Sequence, residues 1–245
     1  MTPITKPTFL VTNDDGIHVF FLRALVNALK EFGTVFVAAP LCEQSWVGRC
    51  VSRNQEVKVT PYDKLSGAQA WVVDGTPSDA VNIALGHLLP SKPDVVVSGI
   101  NVGWNAMVPV LYSSGTVAGA LEGASWGIPA IALSMHLQGE DFNQVKKDSV
   151  NLSGKVRESV ETAARLGAKF SLEKVGDQNE NGEVYNINFP TVPHIDTPWV
   201  ATQPGTIRFD SLFENTGSDT FNFRYMERIP DNQPKNLPDD YKTLS

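Results

Sequence analysis

The feature that most constrains this chain is its rhythm. Short apolar runs rich in β-branched residues alternate with segments whose apolar residues recur every three or four positions. Thr8-Phe9-Leu10-Val11 stops at the polar turn Asn13-Asp14-Asp15-Gly16. Phe21, Leu22, Leu25, Val26 and Leu29 then repeat at helical spacing until Gly33. Val35-Phe36-Val37-Ala38-Ala39 is a second buried run, closed by Pro40. Glu56 to Thr60 alternates polar and apolar, as a half-exposed strand does, and Trp71-Val72-Val73 is a further short strand.

Thr76-Pro77-Ser78-Asp79 reads as a helix start, with Thr76 as the cap, Pro77 in the first turn and Asp79 reaching back to the cap. That helix is expected to run through Leu88. Val95-Val96-Val97-Ser98 suits the centre of a parallel sheet. A Gly- and Asn-rich loop, Gly99 to Asn105, follows it. Ser113-Ser114-Gly115-Thr116 opens a helix of small residues, Val117 to Ala124, and Ala130 to Ser134 is the next strand. A longer helix is expected from about Val145 to Leu166, and Tyr185 to Phe189 is a late strand. Beyond Pro190 the composition turns to Pro, Asp, Asn, Thr and aromatics, which reads as strands and extended loops closing over the domain or reaching a partner subunit.

Alternation of this kind predicts an α/β fold with a mainly parallel, doubly wound sheet. The expected organisation is one domain over residues 1–245, with a core of about 1–190 and an irregular C-terminal segment of about 191–245. Ligands in such sheets sit outside the carboxyl ends of the strands. Asn13-Asp14-Asp15, Ser45, Asn101 and Asn105 all fall at that edge, and Ser114-Gly115-Thr116 opens the helix after it.

The net charge of -7 argues against a nucleic-acid polymer as partner, because such proteins carry a basic face. It leaves room for a small phosphorylated substrate if a cation inverts the local field. Cys42 and Cys50 lack the spacing of a zinc site and read as reduced thiols. No apolar run approaches the roughly 20 residues needed to span a bilayer, and Met1 to Pro7 is too short and polar for a signal peptide. No membrane partner and a cytoplasmic location are therefore expected.

Asp14 and Asp15 are adjacent carboxylates in a tight loop. A hard cation between them would relieve their repulsion, and oxygen-only donors favour Mg²⁺, Mn²⁺ or Ca²⁺ over zinc. The alternative is a solvated turn in which one Asp caps the next helix. Ser45 and Asn101 would serve as neutral oxygen donors beside them, or be ordinary loop residues. The start of the helix at Ser114, Gly115 and Thr116 offers N–H groups to a phosphate, or is simply capped. Gly99 and Gly103 allow close backbone approach. Neither a P-loop nor a dinucleotide fingerprint is present, and no Ser-His-Asp order or nucleophile elbow is visible. His18 begins the first helix near the acidic turn, as a substrate contact or a surface histidine.

Four blocks occur in order: Asn13-Asp14-Asp15-Gly16, Gly75-Thr76-Pro77-Ser78-Asp79, Val97 to Asn105 and Tyr112 to Gly123. In these blocks the chain resembles the stationary-phase survival protein SurE family of 5'/3'-nucleotidases and acid phosphatases, most clearly over about the first 135 residues. The resemblance implies a Rossmann-like core, with one divalent cation per subunit, Mg²⁺ or Mn²⁺, held by Asp14, Asp15, Ser45 and Asn101. It also implies hydrolysis of nucleoside monophosphates, in some members of short polyphosphate, and a homodimer or homotetramer exchanging C-terminal segments. Asp14 and Asp15 are the expected catalytic residues. Asn13, Gly99, Asn105, Ser114, Gly115 and Thr116 are the expected substrate- and phosphate-binding residues. The alternatives are a phosphatase working through an aspartyl-phosphate on Asp14, though Gly16 stands where that class places its second acid, and a nucleotide-binding regulatory protein with little turnover. Two departures bear on the pocket. Val19-Phe20-Phe21 replaces the family's Ala-Pro-Gly, and Trp46 follows Ser45 where the family has glycine.

Overall fold

The computed structural model describes residues 6–224. Seven strands form one sheet: β1 (Thr8–Thr12), β2 (Thr34–Pro40), β3 (Val59–Tyr62), β4 (Gln69–Val73), β5 (Val95–Val102), β6 (Ala130–Met135) and β7 (Val184–Phe189). Their order is β3-β4-β2-β1-β5-β6-β7, and every pairing is parallel except that of β3 with β4. The mainly parallel α/β sheet predicted from the apolar rhythm is the one observed.

Both faces of the sheet are covered, which is why its strands read as continuous apolar runs. Helices α1 (Phe20–Leu29) and α6 (Gly154–Glu173) pack with Phe9, Val11, Val35 and Val37 on one face. On the other, helix α2 (Pro77–Ile83) packs with Leu10, Phe36 and Ala38. Successive residues of β1 and β2 therefore point into opposite layers, as strand geometry requires. Helices α3 (Val108–Ser113) and α4 (Gly115–Ser125) follow β5, and α5 (Gly139–Lys147) follows β6. A short hairpin of β8 (Phe213–Asn215) and β9 (Phe221–Phe223) lies in the C-terminal segment.

From β1 the chain winds outward to β2 and β4. From β5 it winds the other way, to β6 and β7. The reversal lies between β1 and β5, and the crevice outside their carboxyl ends is the topological switch point, where ligands bind in such sheets.

The start of α2 forms as expected. Thr76 Oγ1 accepts from the Asp79 N–H at 3.1 Å, and the Asp79 carboxylate accepts from the Thr76 N–H at 2.9 Å. The helix then widens into a π-type turn over Ala84–Leu88. Three local readings are corrected. The strand expected at Glu56 to Thr60 lies at Val59–Tyr62; Pro61 is tolerated because β3 is an edge strand. The single helix expected over about Val145 to Leu166 is two helices, α5 and α6. Asp148 Oδ1 accepts from the N–H groups of Val150 and Asn151, folding the intervening chain back on a side chain, and Gly154 at φ +60 starts the second helix. Helix α3 was not anticipated. Of the expected irregular segment beyond Pro190, residues 225–245 lie outside the described residues.

Candidate active site

Thr12 pairs with Ser98, so Asn13, Asp14 and Asp15 emerge at the switch point itself. Asp14 is 4 % exposed. Its Oδ1 accepts from the Thr116 hydroxyl at 2.5 Å, the Thr116 backbone N–H also bonds the carboxylate, and its own carbonyl accepts from the Gln44 N–H at 2.7 Å. Asp15 Oδ2 accepts from the Val102 N–H at 2.9 Å. The first carboxylate is thus tied to the start of α4 and the second to the end of β5, on either side of the crevice.

Both acids are pushed up. Burial raises Asp14 to about 6, against the lowering effect of the Thr116 bonds. Burial, then the charge of Asp14, raises Asp15 well above the usual carboxylate range. Glu43 adds negative charge to both. Among the described residues no basic side chain forms an ion pair with either acid. Asn13 is fully buried; its Nδ2 donates to the Gly16 carbonyl at 2.9 Å, while its Oδ1 has no hydrogen-bond partner among the described residues. Thr12 Oγ1, at the end of β1, and Ser98 Oγ, on the residue of β5 paired with it, are likewise buried without partners among the described residues.

The other predicted residues separate into two groups. Ser114, Gly115 and Thr116 do gather against Asp14. Ser114 Oγ caps α4 by accepting from the Val117 N–H at 3.1 Å. At Gly115 a Cβ would lie 2.8 Å from Asp14 Cβ and 2.9 Å from the Gln44 carbonyl oxygen, so only glycine lets the helix start come this close. Asn101 pairs with Ser134 just beyond an irregularity in β5 that begins at Ser98. Ser45 is half-buried, and its Oγ donates to Glu43 Oε1 at 2.6 Å.

Gly99 and Asn105 instead meet other parts of the fold. At Gly99, φ is +137 and a Cβ would sit 2.3 Å from the Leu133 carbonyl oxygen, so its smallness is used against β6. Asn105 Nδ2 donates to Ser134 Oγ at 2.8 Å, and its carbonyl accepts from Asn186 Nδ2 and Asn188 Nδ2. His18 Nδ1 lies 3.1 Å from the Tyr62 hydroxyl, at a cavity of about 270 Å³ that Arg23 and Lys64 also line. Phe20, expected to reshape the pocket, is buried, with the guanidinium groups of Arg23 and Arg157 each about 5 Å from its ring centre. Cys42 and Cys50 are both free.

The sequence reading expects the segment beyond Pro190 to close over the domain or reach a partner subunit, but it does not single out the residues that form this roof. Met107, at φ +66, packs with Ala106 and Ile207, and the Val108 N–H donates to the Gly205 carbonyl at 2.7 Å. Trp46, at φ +62, lies 6.4 Å from the ring of Phe209 and 5.5 Å from that of Phe223. The C-terminal segment therefore folds back onto the loops that carry Ser45 and Asn105. Its aromatics have no periodicity that could have announced this.

Fold and site together define a doubly wound α/β protein whose buried acidic pair lies in the switch-point crevice, against the start of a helix. The family model described as "Survival protein SurE" matches residues 9–210, and the chain belongs to that family. It is 36 % identical over 201 residues to the 5'-nucleotidase SurE of Methanosarcina acetivorans, covering 81 % of this chain and 72 % of that one. To the 5'-nucleotidase SurE of Maridesulfovibrio salexigens it is 42 % identical over 185 residues, covering 75 % of this chain and 66 % of that one. The crystal structure of the SurE protein from Aquifex aeolicus superposes with a TM-score of 0.64 at 28 % identity, covering 89 % of this chain and 83 % of that one.

Proposed function

We propose that this chain is a divalent-metal-dependent phosphomonoesterase that hydrolyses nucleoside 5'-monophosphates, and 3'-monophosphates, to nucleoside and phosphate, with short polyphosphate as a further substrate. The observation that carries the reading is the buried pair Asp14 and Asp15. Two adjacent acids, both raised by burial and without an ion-pair partner among the described residues, form a cluster of carboxylates that a hard cation would neutralise. The relatives named 5'-nucleotidase support the substrate class.

The residues present fit such an ion. Asp14 and Asp15 would hold it, with Ser45 and Asn101 as neutral oxygen donors; Asn13 Oδ1, buried without a hydrogen-bond partner among the described residues, is a further oxygen on the same turn. All are hard donors, which suits Mg²⁺ or Mn²⁺, one per subunit. Bound there, the cation supplies Lewis-acid chemistry to the phosphoryl group.

The chain's own contribution is positioning. Thr116 holds Asp14 in one orientation and the Val102 N–H holds Asp15. The start of α4, at Ser114, Gly115 and Thr116, brings its positive dipole end to the phosphate. Asn105, fixed through Ser134, Asn186 and Asn188, stiffens the loop at the mouth of the crevice together with Gly99. Ile207 packs with Ala106 and Met107, and Phe209 and Phe223 pack against Trp46, on the loops beside the crevice.

Asp14→Asn tests the reading. It should abolish metal-stimulated release of phosphate from AMP and p-nitrophenyl phosphate, and undiminished release would overturn it.

No helix among the described residues is long and apolar enough to cross a membrane. We place the protein in the cytoplasm, as a single domain that forms a homodimer or homotetramer through its C-terminal segment. Exposed Val192, Ile195, Trp199 and Val200 offer that segment an apolar surface.

A further inference from the structure

Trp46 departs from the rest of the site. It follows Ser45, a proposed ion ligand, and its backbone is held at φ +62, a conformation that bulky L residues rarely adopt. A residue held in such a region by its surroundings points to a use for the side chain it displays. Its surroundings here are aromatic. Phe223 lies 5.5 Å away with its ring tilted by 59°, and Phe209 lies 6.4 Å away at 64°. Glu43, Ser45, Trp46 and Phe223 line a cavity of about 290 Å³. Trp46 is only half-buried, so its ring is not consumed by the core.

The cavity therefore has two chemically distinct walls. Ser45 and Glu43 form a polar wall on a loop tied to the acidic pair, because the Gln44 N–H between them donates to the Asp14 carbonyl at 2.7 Å. Trp46 and Phe223 form a flat, apolar wall. With a cation held by the acidic pair to offset the Glu43 carboxylate, a ligand that fits both would carry a phosphate at one end and a planar ring at the other. Planar bases stack on aromatic side chains whatever their sequence identity, because each has a π-face.

We propose that Trp46, closed in by Phe223, is the nucleobase-stacking residue of this enzyme and determines its preference for nucleotides over other phosphomonoesters. The inference rests on the phosphomonoesterase reading above and deepens it. Trp46 is a specificity residue contacting the base; the bond cleaved and the groups that cleave it are unchanged.

The test compares AMP with glycerol 2-phosphate, which offers the same phosphate and no ring. In Trp46→Ala the ratio of kcat/KM for AMP to that for glycerol 2-phosphate should fall by about tenfold or more, as expected for loss of one base stack. Trp46→Phe should recover much of the ratio. A second readout needs no turnover. In EDTA, millimolar adenosine should quench tryptophan emission of the wild-type protein and lose that component in Trp46→Phe. Should Trp46→Ala fail to fold, Phe223→Ala carries the ratio measurement and Trp46→Phe the emission measurement. An unchanged ratio, or emission that adenosine leaves untouched, would overturn the proposal. The two readings also fail separately. A wild-type protein that releases no phosphate from AMP refutes the phosphomonoesterase, whereas a lost ratio effect beside intact AMP hydrolysis refutes only the role of Trp46.

Discussion

Gly115 offers the sharpest mechanical test of the site. It begins α4 directly beneath Asp14, and its φ is one that alanine also adopts. In Gly115→Ala the new methyl would stand 2.8 Å from Asp14 Cβ, 2.9 Å from the Gln44 carbonyl oxygen and 3.0 Å from Asp14 Oδ2. Carbon–carbon contacts relax to about 3.5–4.0 Å, so Asp14 and the start of the helix must separate by roughly 1 Å. Overpacking of this kind costs about 1–3 kcal/mol, and the gain in helix propensity returns at most about 1 kcal/mol. For a domain of this size the net change lowers the melting temperature by only a few degrees. Catalysis is far less tolerant, because a displacement of about 1 Å can cost on the order of a hundredfold in rate. The assay is phosphate release from AMP under saturating Mn²⁺, with thermal unfolding of the same preparation. A loss of about a hundredfold in kcat with a folded protein is expected. Full activity at an unchanged melting temperature would refute the placement of Asp14 against α4.

Three further outcomes follow from the same structure. Burial holds the folded-state pKa of Asp14 at about 6, above its ordinary 3.8, so the folded protein keeps a proton that the unfolded chain releases. Stability of the metal-free protein should fall as pH rises from about 4 to 6, and should go on falling above 6 as Asp15, raised by burial and by the charge of Asp14, gives up its own proton. Urea unfolding in EDTA across that range reads it, and a stability that rises over the interval contradicts the burial. Mn²⁺ should raise the melting temperature strongly at pH 7 and little at pH 4, since protonated carboxylates cannot hold it; an equal rise at both would place the ion elsewhere. Asn179→Ala removes the amide that joins the Ile128 and Glu183 carbonyls and the Glu183 N–H ahead of β7. It should cost about 2–4 kcal/mol without changing kcat, as measured by urea unfolding and initial rates.

Much of the fold was legible because it rests on period. Strands buried on both faces must be apolar throughout, so Phe9, Leu10 and Val11 announce β1 without help from context. The capping box at Thr76 and Asp79 was equally plain, since its bonds lie within one helical turn. The readings failed where a side chain overrode the period. Asp148 gathers two backbone N–H groups and divides one expected helix into two, and Pro61 enters a strand because that strand is an edge. That Asp14, Asp15 and Thr116 come together was legible because the carboxyl edge of a sheet is a place that the sequence reveals. Gly99 and Asn105 were found there as well, but their contacts are to Leu133 and Ser134. Telling a ligand-facing residue from a strand-facing one requires the register of β5 on β6, including its irregularity at Ser98, and no local pattern encodes that.

The roof bears on how the enzyme comes into being. The acidic pair, the helix beneath it and the β5 loop all lie within residues 13–125, whereas Ile207, Phe209 and Phe223 belong to the far end of the described chain. During synthesis the machinery for handling phosphate can assemble well before the wall that shapes its cargo. A nascent chain stalled before Ile207, or one clipped by a protease in the exposed stretch around Trp199, would retain the acidic pair beneath an unroofed crevice. On the proposal for Trp46 and Phe223, selectivity is acquired after the acidic pair is in place, and it is a property that a single cut would remove.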